Sequence, residues 1–201
     1  MRRLFLTFIG IGLLFAFNGC SESSTGSNDD DNNNNNNNNG SGNNFSFEDW
    51  SGGEPVNWTT SNIPNAYTNV TKSSDAQSGS AAIKAEVLSF QGAPINASIT
   101  SGTALAPYFE IDQNVSKVNF YYKFSPANTG EYLSVQVSLY SSYPSGILSF
   151  ETYQIDQAAS NYTLLSLDMP IQAETPKLIQ ISVASIATVG ATFLLDNITL
   201  E

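Results

Sequence analysis

Two stretches of this chain alternate aromatic and amide side chains in a way that could hold a ligand. In the first, Tyr121 shares a strand face with Asn119 and Lys123. In the second, Tyr132 and Tyr140 share a face with Ser134, Gln136 and Ser138. A tyrosine offers an apolar ring with a polar tip, and amides and hydroxyls pair well with the hydroxyl groups of a neutral ligand. If the two strands are neighbours in one sheet, Tyr121, Lys123, Tyr132, Gln136 and Tyr140 form a single platform suited to a neutral glycan. Tyr108, Tyr143 and Tyr153 would add to it from loops or another strand. Exposed tyrosines are also ordinary strand residues, so each ring taken singly fits either reading.

Other chemistries find few residues to use. The chain has no His, its one Cys is Cys20, and its only Arg residues are Arg2 and Arg3. Catalytic triads, thiol chemistry and histidine-based metal catalysis therefore have no residues to work with. Glu131, Glu151, Asp112 and Asp156 could in principle form an acid/base pair, but a glycosidase needs two carboxyl groups at a defined separation, and nothing in the spacing places two of them so. The formal net charge is −11, so a nucleic-acid partner is excluded for want of a basic footprint. Polyanionic glycans are disfavoured for the same reason. The expectation is a non-enzymatic protein.

The elements that must carry these residues begin after a leader. Met1-Arg2-Arg3, an apolar run from Leu4 to Phe17, and Asn18-Gly19 before Cys20 have the pattern of a secretory signal. The run is too short for a bilayer span, which takes about 20 residues. With Cys directly after the cut, the segment resembles a bacterial lipoprotein signal, which implies lipidation of Cys20 and a membrane anchor. Residues 20–44 follow as a tether rich in Asn, Asp, Ser and Gly, too polar to fold. Its acidic cluster, Glu22 and Asp29–Asp31, resembles the export signal of surface-exposed Bacteroidetes lipoproteins, although a plain solvated linker would look similar. The expected location is the cell envelope, on the outer membrane and facing outward.

Residues 45–201 are large enough for one domain with its own core. Period-2 alternation predicts strands over 81–88, 95–100, 117–124, 131–140, 147–154, 162–167, 178–184 and 192–200. No stretch carries a helical period. Many short strands between turn residues predict an all-β, antiparallel β-sandwich of the jelly-roll kind.

Five segments in order strengthen that reading: Asn44-Phe45-Ser46-Phe47-Glu48-Asp49-Trp50, Pro55-Val56-Asn57-Trp58, Asp75-Ala76-Gln77-Ser78-Gly79 with Ala82 and Lys84 following, Phe120-Tyr121-Tyr122-Lys123-Phe124 with Gly130-Glu131, and Leu194-Leu195-Asp196-Asn197-Ile198-Thr199-Leu200. Together they resemble galactose-binding-like jelly rolls, in particular the carbohydrate-metabolism domains of Bacteroidetes surface proteins and carbohydrate-binding modules more broadly. The resemblance implies carbohydrate binding. It also implies a structural Ca²⁺ held by Glu48, Asp75, Ser80 and Asp196, with carbonyl oxygens of the loop 75–80 completing the shell. Trp50 and Trp58 fall in the opening elements, where core packing or loop anchoring is the expected role. The alternative is a structural or adhesive lipoprotein whose partner is another envelope protein.

Overall fold

The structure, a computed structural model, describes residues 42–201. The signal segment, Cys20 and the tether up to residue 41 lie outside the described residues. Alternating apolar residues put one face of each strand against a shared core, and two antiparallel sheets result. One has five strands in the order β13 (Ala159–Asp168), β10 (Lys117–Ser125), β15 (Thr192–Leu200), β5 (Ala82–Glu86) and β4 (Val70–Ser73). The other runs β12 (Gly146–Ile155), β11 (Tyr132–Ser142), β14 (Leu178–Ile186), β8 (Ser98–Ser101) and β3 (Trp58–Thr60), with β9 (Phe109–Glu110) also paired to β14. Two small hairpins, β1 (Trp50–Ser51) with β2 (Glu54–Pro55) and β6 (Leu88–Phe90) with β7 (Ala93–Ile95), complete the described strands. The all-β sandwich expected from the sequence is the observed architecture.

The core is built from inward rows of both sheets. Leu133, Val135, Val137 and Leu139 of β11 and Ile179, Ile181 and Val183 of β14 face Val118, Phe120 and Phe124 of β10 and Phe193, Leu195 and Ile198 of β15. Two expected strands are interrupted. Residues 81–88 divide at Val87, whose N–H leaves the sheet to donate to Ala191 O at 2.9 Å. Residues 95–100 divide at Ala97, which exchanges hydrogen bonds with both the backbone and the hydroxyl of Ser185.

The segment Gly42–Asn44, expected to belong to the tether, is part of the domain. Trp58 Nε1–H donates to Asn43 O and Asn44 O, both at 3.2 Å, and the Asn57 side-chain amide donates to Gly42 O. The Asn44 side chain accepts from Asp49 N–H and donates to Asp49 O and Val56 O. Asn44 and Asn57 both have positive φ, 47° and 64°, which Asn tolerates better than most residues. This clamp sends Phe45 and Phe47 into the core, where they pack with Trp58 and Phe109 at ring separations of 5.1–6.5 Å. Trp58 is thus a core residue, and Trp50 is half-buried with its indole N–H on Phe47 O at 2.6 Å.

The turn before β11 is organised by a buried carboxylate. Glu131 accepts from Ala127 N–H at 2.7 Å, Thr188 N–H at 2.9 Å, Thr188 Oγ1–H at 2.5 Å and the Asn128 amide at 3.3 Å. Burial by itself would raise its pKa, but the hydrogen bonds from Thr188, Asn128 and Ala127 outweigh it and lower the value from 4.5 to about 2. A depressed carboxylate stabilises the fold fully above the unfolded pKa and loses that contribution as pH falls towards the folded one. Glu131→Gln should therefore be less stable than the parent chain at pH 7. Its stability should fall less steeply between pH 5 and pH 2, as read by urea unfolding at each pH.

Candidate functional site

The two tyrosine-bearing strands lie in different sheets. Tyr121 and Lys123 belong to β10 in the five-stranded sheet, whereas Tyr132, Gln136 and Tyr140 belong to β11 in the six-stranded sheet. Their outward faces point away from each other across the core, so the single platform expected from the sequence does not form. The alternation within each strand was legible, but the sheet to which each belongs is set by long-range pairing.

On the five-stranded side, the loop 74–81 covers the part of the outward face around Asp196 and Lys123, and its residues complete the bonding of two carboxylates. Asp196 Oδ2 accepts from Gln77 N–H at 2.7 Å and Ser78 N–H at 3.1 Å, and Oδ1 accepts from Asn197 N–H at 2.8 Å. Glu48 accepts from Ser80 N–H at 2.9 Å, Ser80 Oγ–H at 2.6 Å and Ala81 N–H at 3.1 Å. Gly79 fits because its φ is +68° and a Cβ there would lie 2.1 Å from Glu48 Oε1. Asp196 is fully buried, and desolvation raises its pKa against the opposing hydrogen bonds from Ser78, Gln77 and Asn197, with Glu48 adding to the rise. At Glu48 burial also acts upward, but the hydrogen bonds from Ser80 and Ala81 prevail and lower the pKa.

This arrangement gathers Glu48, Ser80 and Asp196 around one loop, but not as a calcium shell. Ca²⁺ requires oxygens turned towards it, and here the loop turns N–H groups towards the carboxylates. Asp75 is not part of the group: both its oxygens accept from Lys123 Nζ, at 2.8 and 2.7 Å, and its carbonyl accepts from Tyr162 O–H. Lys123 also lies 4.6 Å from the Tyr162 ring centroid, which leaves it committed to Asp75 and Tyr162 rather than to a ligand. Among the described residues no three His, Cys, Asp or Glu side chains converge as metal ligands. The donors present do not fit the cation. EDTA is expected to leave the melting temperature unchanged. Glu48→Gln, which removes the charge receiving three donors, should cost about 1–3 kcal/mol in urea unfolding.

On the six-stranded side, the outward face is open and forms a groove. Its lining is Thr100, Gln136, Ser138, Tyr140, Ile147, Phe150, Gln180 and Ser182, around a cavity of about 250 Å³. Register builds it. Gln136 stands between Thr152 and Ser182, with Thr100 beyond Ser182. Ser138 stands between Phe150 and Gln180, and Tyr140 beside Ile147. Thr100 and Ser182 hydroxyls bond at 2.9 Å, and Tyr140 O–H donates to Gln180 Oε1 at 3.2 Å, which fixes the Gln180 amide. No charged side chain lines the groove.

The expected site residues are distributed accordingly. Gln136 and Tyr140 are in the groove. Tyr140 is buried, so it presents its edge and hydroxyl rather than an open ring. Tyr132 is on the same face but four residues, about 13 Å, along the strand from Gln136. Tyr153 pairs with the core-facing Val135, so it stands on the inner side of the edge strand β12 and not on the platform. Phe150 and Ile147, at 53% and 58% exposure, are the open apolar surfaces that sequence reasoning missed. A register shift between Leu139 and Tyr140 brings Ile147 to the same face as Phe150, although strict alternation from 147 to 150 would separate them.

The four candidate acids are committed elsewhere or lie apart from the groove. Glu131 and Asp156 line one open cavity of about 590 Å³, but Glu131 is saturated with donors and ionised far below neutral pH. Asp112 pairs with Lys177, and Glu151 is on the inner side of β12 opposite Val137.

Comparison with solved structures finds the same β-sandwich architecture in other proteins. A glycoside-hydrolase-like protein of Bacteroides thetaiotaomicron aligns with a TM-score of 0.61 at 11% identity, over 78% of this chain and 70% of that one. The module TmCBM61, solved with β-1,4-galactotriose, aligns with a TM-score of 0.51 at 18% identity, over 79% of this chain and 94% of that one. A carbohydrate-binding module described for promiscuous specificity within the β-sandwich superfamily aligns with a TM-score of 0.51 at 15% identity, over 78% and 60%. At these identities the likeness is one of fold. No family model matches the chain, and no curated protein matches it.

Proposed function

We propose that this chain is a non-catalytic module that binds a neutral carbohydrate in the groove on its six-stranded sheet, and that a lipid on Cys20 holds it at the outer surface of the cell envelope. The observation that carries the binding reading is the groove lining: amides and hydroxyls from Gln136, Gln180, Ser138, Ser182 and Thr100 beside the exposed Phe150 and Ile147, with no charge. Sugar rings present apolar C–H faces for an aromatic side chain and hydroxyls for amides, which is the mixture found here. A strongly acidic chain whose groove is uncharged suits a neutral ligand better than a uronate or sulfated one. The fold shared with TmCBM61 adds support from analogy. None of Glu131, Glu151, Asp112 and Asp156 lines the groove, which favours holding a glycan there over cleaving it. The anchor rests on the signal-like segment ending at Cys20.

Affinity electrophoresis of the full chain in gels containing neutral polysaccharides tests the binding. Retardation is expected with at least one of galactan, mixed-linkage β-glucan, xylan or mannan. Phe150→Ala should weaken it about tenfold, as expected for loss of a central aromatic anchor, while the thermal melt stays close to that of the parent. Retardation by none of them would favour a protein-contact role instead. Cys20→Ser should move the chain from the membrane fraction to the soluble fraction of cells, and a variant that stays with the membrane would refute the lipid anchor.

A further inference from the structure

The groove is joined at one end to a second cavity by a chain of tyrosine rings. Tyr140 lines the groove, and its ring centroid lies 5.3 Å from that of Tyr143 in the β11–β12 turn. Tyr143 in turn lies 5.1 Å from Tyr108. Tyr108 lines a cavity of about 560 Å³ at the loop end of the sandwich, together with Asn43, Asn57, Thr103 and Glu110. Tyr143 is 39% exposed, so the link between the two cavities is an open aromatic surface rather than a wall.

The second cavity is lined by groups of the same kind as the groove, amide and hydroxyl, with the addition of the Glu110 carboxylate, which can accept from hydroxyls but would repel an anion.

We infer that the two cavities are successive subsites for one extended neutral glycan, with Tyr143 as the stacking surface between them. The inference rests on the groove reading above. It assigns the ligand class: an internal stretch of a neutral polysaccharide rather than a terminal mono- or disaccharide. From Gln136 to Tyr140 the strand covers about 13 Å, and the two ring steps extend the path further, beyond the reach of a single sugar unit. A chain long enough to engage both subsites gains the second contact at high effective concentration.

The test is calorimetric titration of the full chain with oligosaccharide ladders, from the disaccharide upwards, cut from β-1,4-galactan, mixed-linkage β-glucan, xylan and mannan. Affinity should rise in a step once the oligosaccharide is long enough to pass Tyr143. Tyr143→Ala should remove that step, a loss of about tenfold for long oligomers, and leave short ones unchanged. Tyr143→Phe should retain the step, which separates loss of the ring from a disturbed turn. Phe150→Ala should reduce binding of short and long oligomers alike. If Phe150→Ala weakens binding while Tyr143→Ala leaves long oligomers unaffected, the outer subsite is wrong and the groove stands. If no ladder binds the parent chain, both readings fall together.

Discussion

Two carboxylates, Glu48 and Asp196, join the first segment of the domain, the loop 74–81 and the last strand, and the fold depends on how their charge is met. The described residues contain no Arg or His, so strong cationic partners are scarce. The loop supplies backbone N–H groups instead, with Gly79 giving the close approach that Glu48 requires. A bulge in β15 at Asn197, φ 51°, lets Asp196 face outward to the loop while Leu195 and Ile198 stay in the core. The loop that covers Asp196 also brings Asp75 to Lys123. The uncharged groove lies on the other sheet.

That division of labour explains what could be read from the sequence. The long strands β10, β11, β14 and β15 were legible because each sustains a period-2 pattern with large apolar residues on one side. The short strands β1 to β4 and β9 were not, because they run for two to four residues and are fixed by side chains reaching across the chain. Asn62 is an example, with its carbonyl oxygen on Asn69 and Val70 N–H and its amide on Glu54 and Val70 O. Such contacts leave no periodic trace.

The site was half legible for a similar reason. Gln136 and Tyr140 could be assigned to an outward face from β11 alone, and they are in the groove. Tyr121 and Lys123 lie on the other sheet, and local alternation carries no information about which strands become neighbours. Phe150 was hidden by an irregular edge strand, where a register shift mixes the two faces. The motif around Asp75–Ser80 located a loop that does meet Glu48 and Asp196, but residue types alone could not tell whether carbonyls or N–H groups would point inward.

The clamp at Gly42–Asn44 has a mechanical consequence. A force pulling the chain away at Gly42 meets the side-chain bonds from Asn57 and Trp58 first, then the Asn44 clamp, and then the buried rings of Phe45 and Phe47. These contacts are loaded in series, so they yield one after another, unlike the long ladder between β10 and β15, whose bonds would share a shearing load. The domain thus has a graded entry to its core at Gly42–Phe47, a few residues that can give under tension before the sandwich itself is strained.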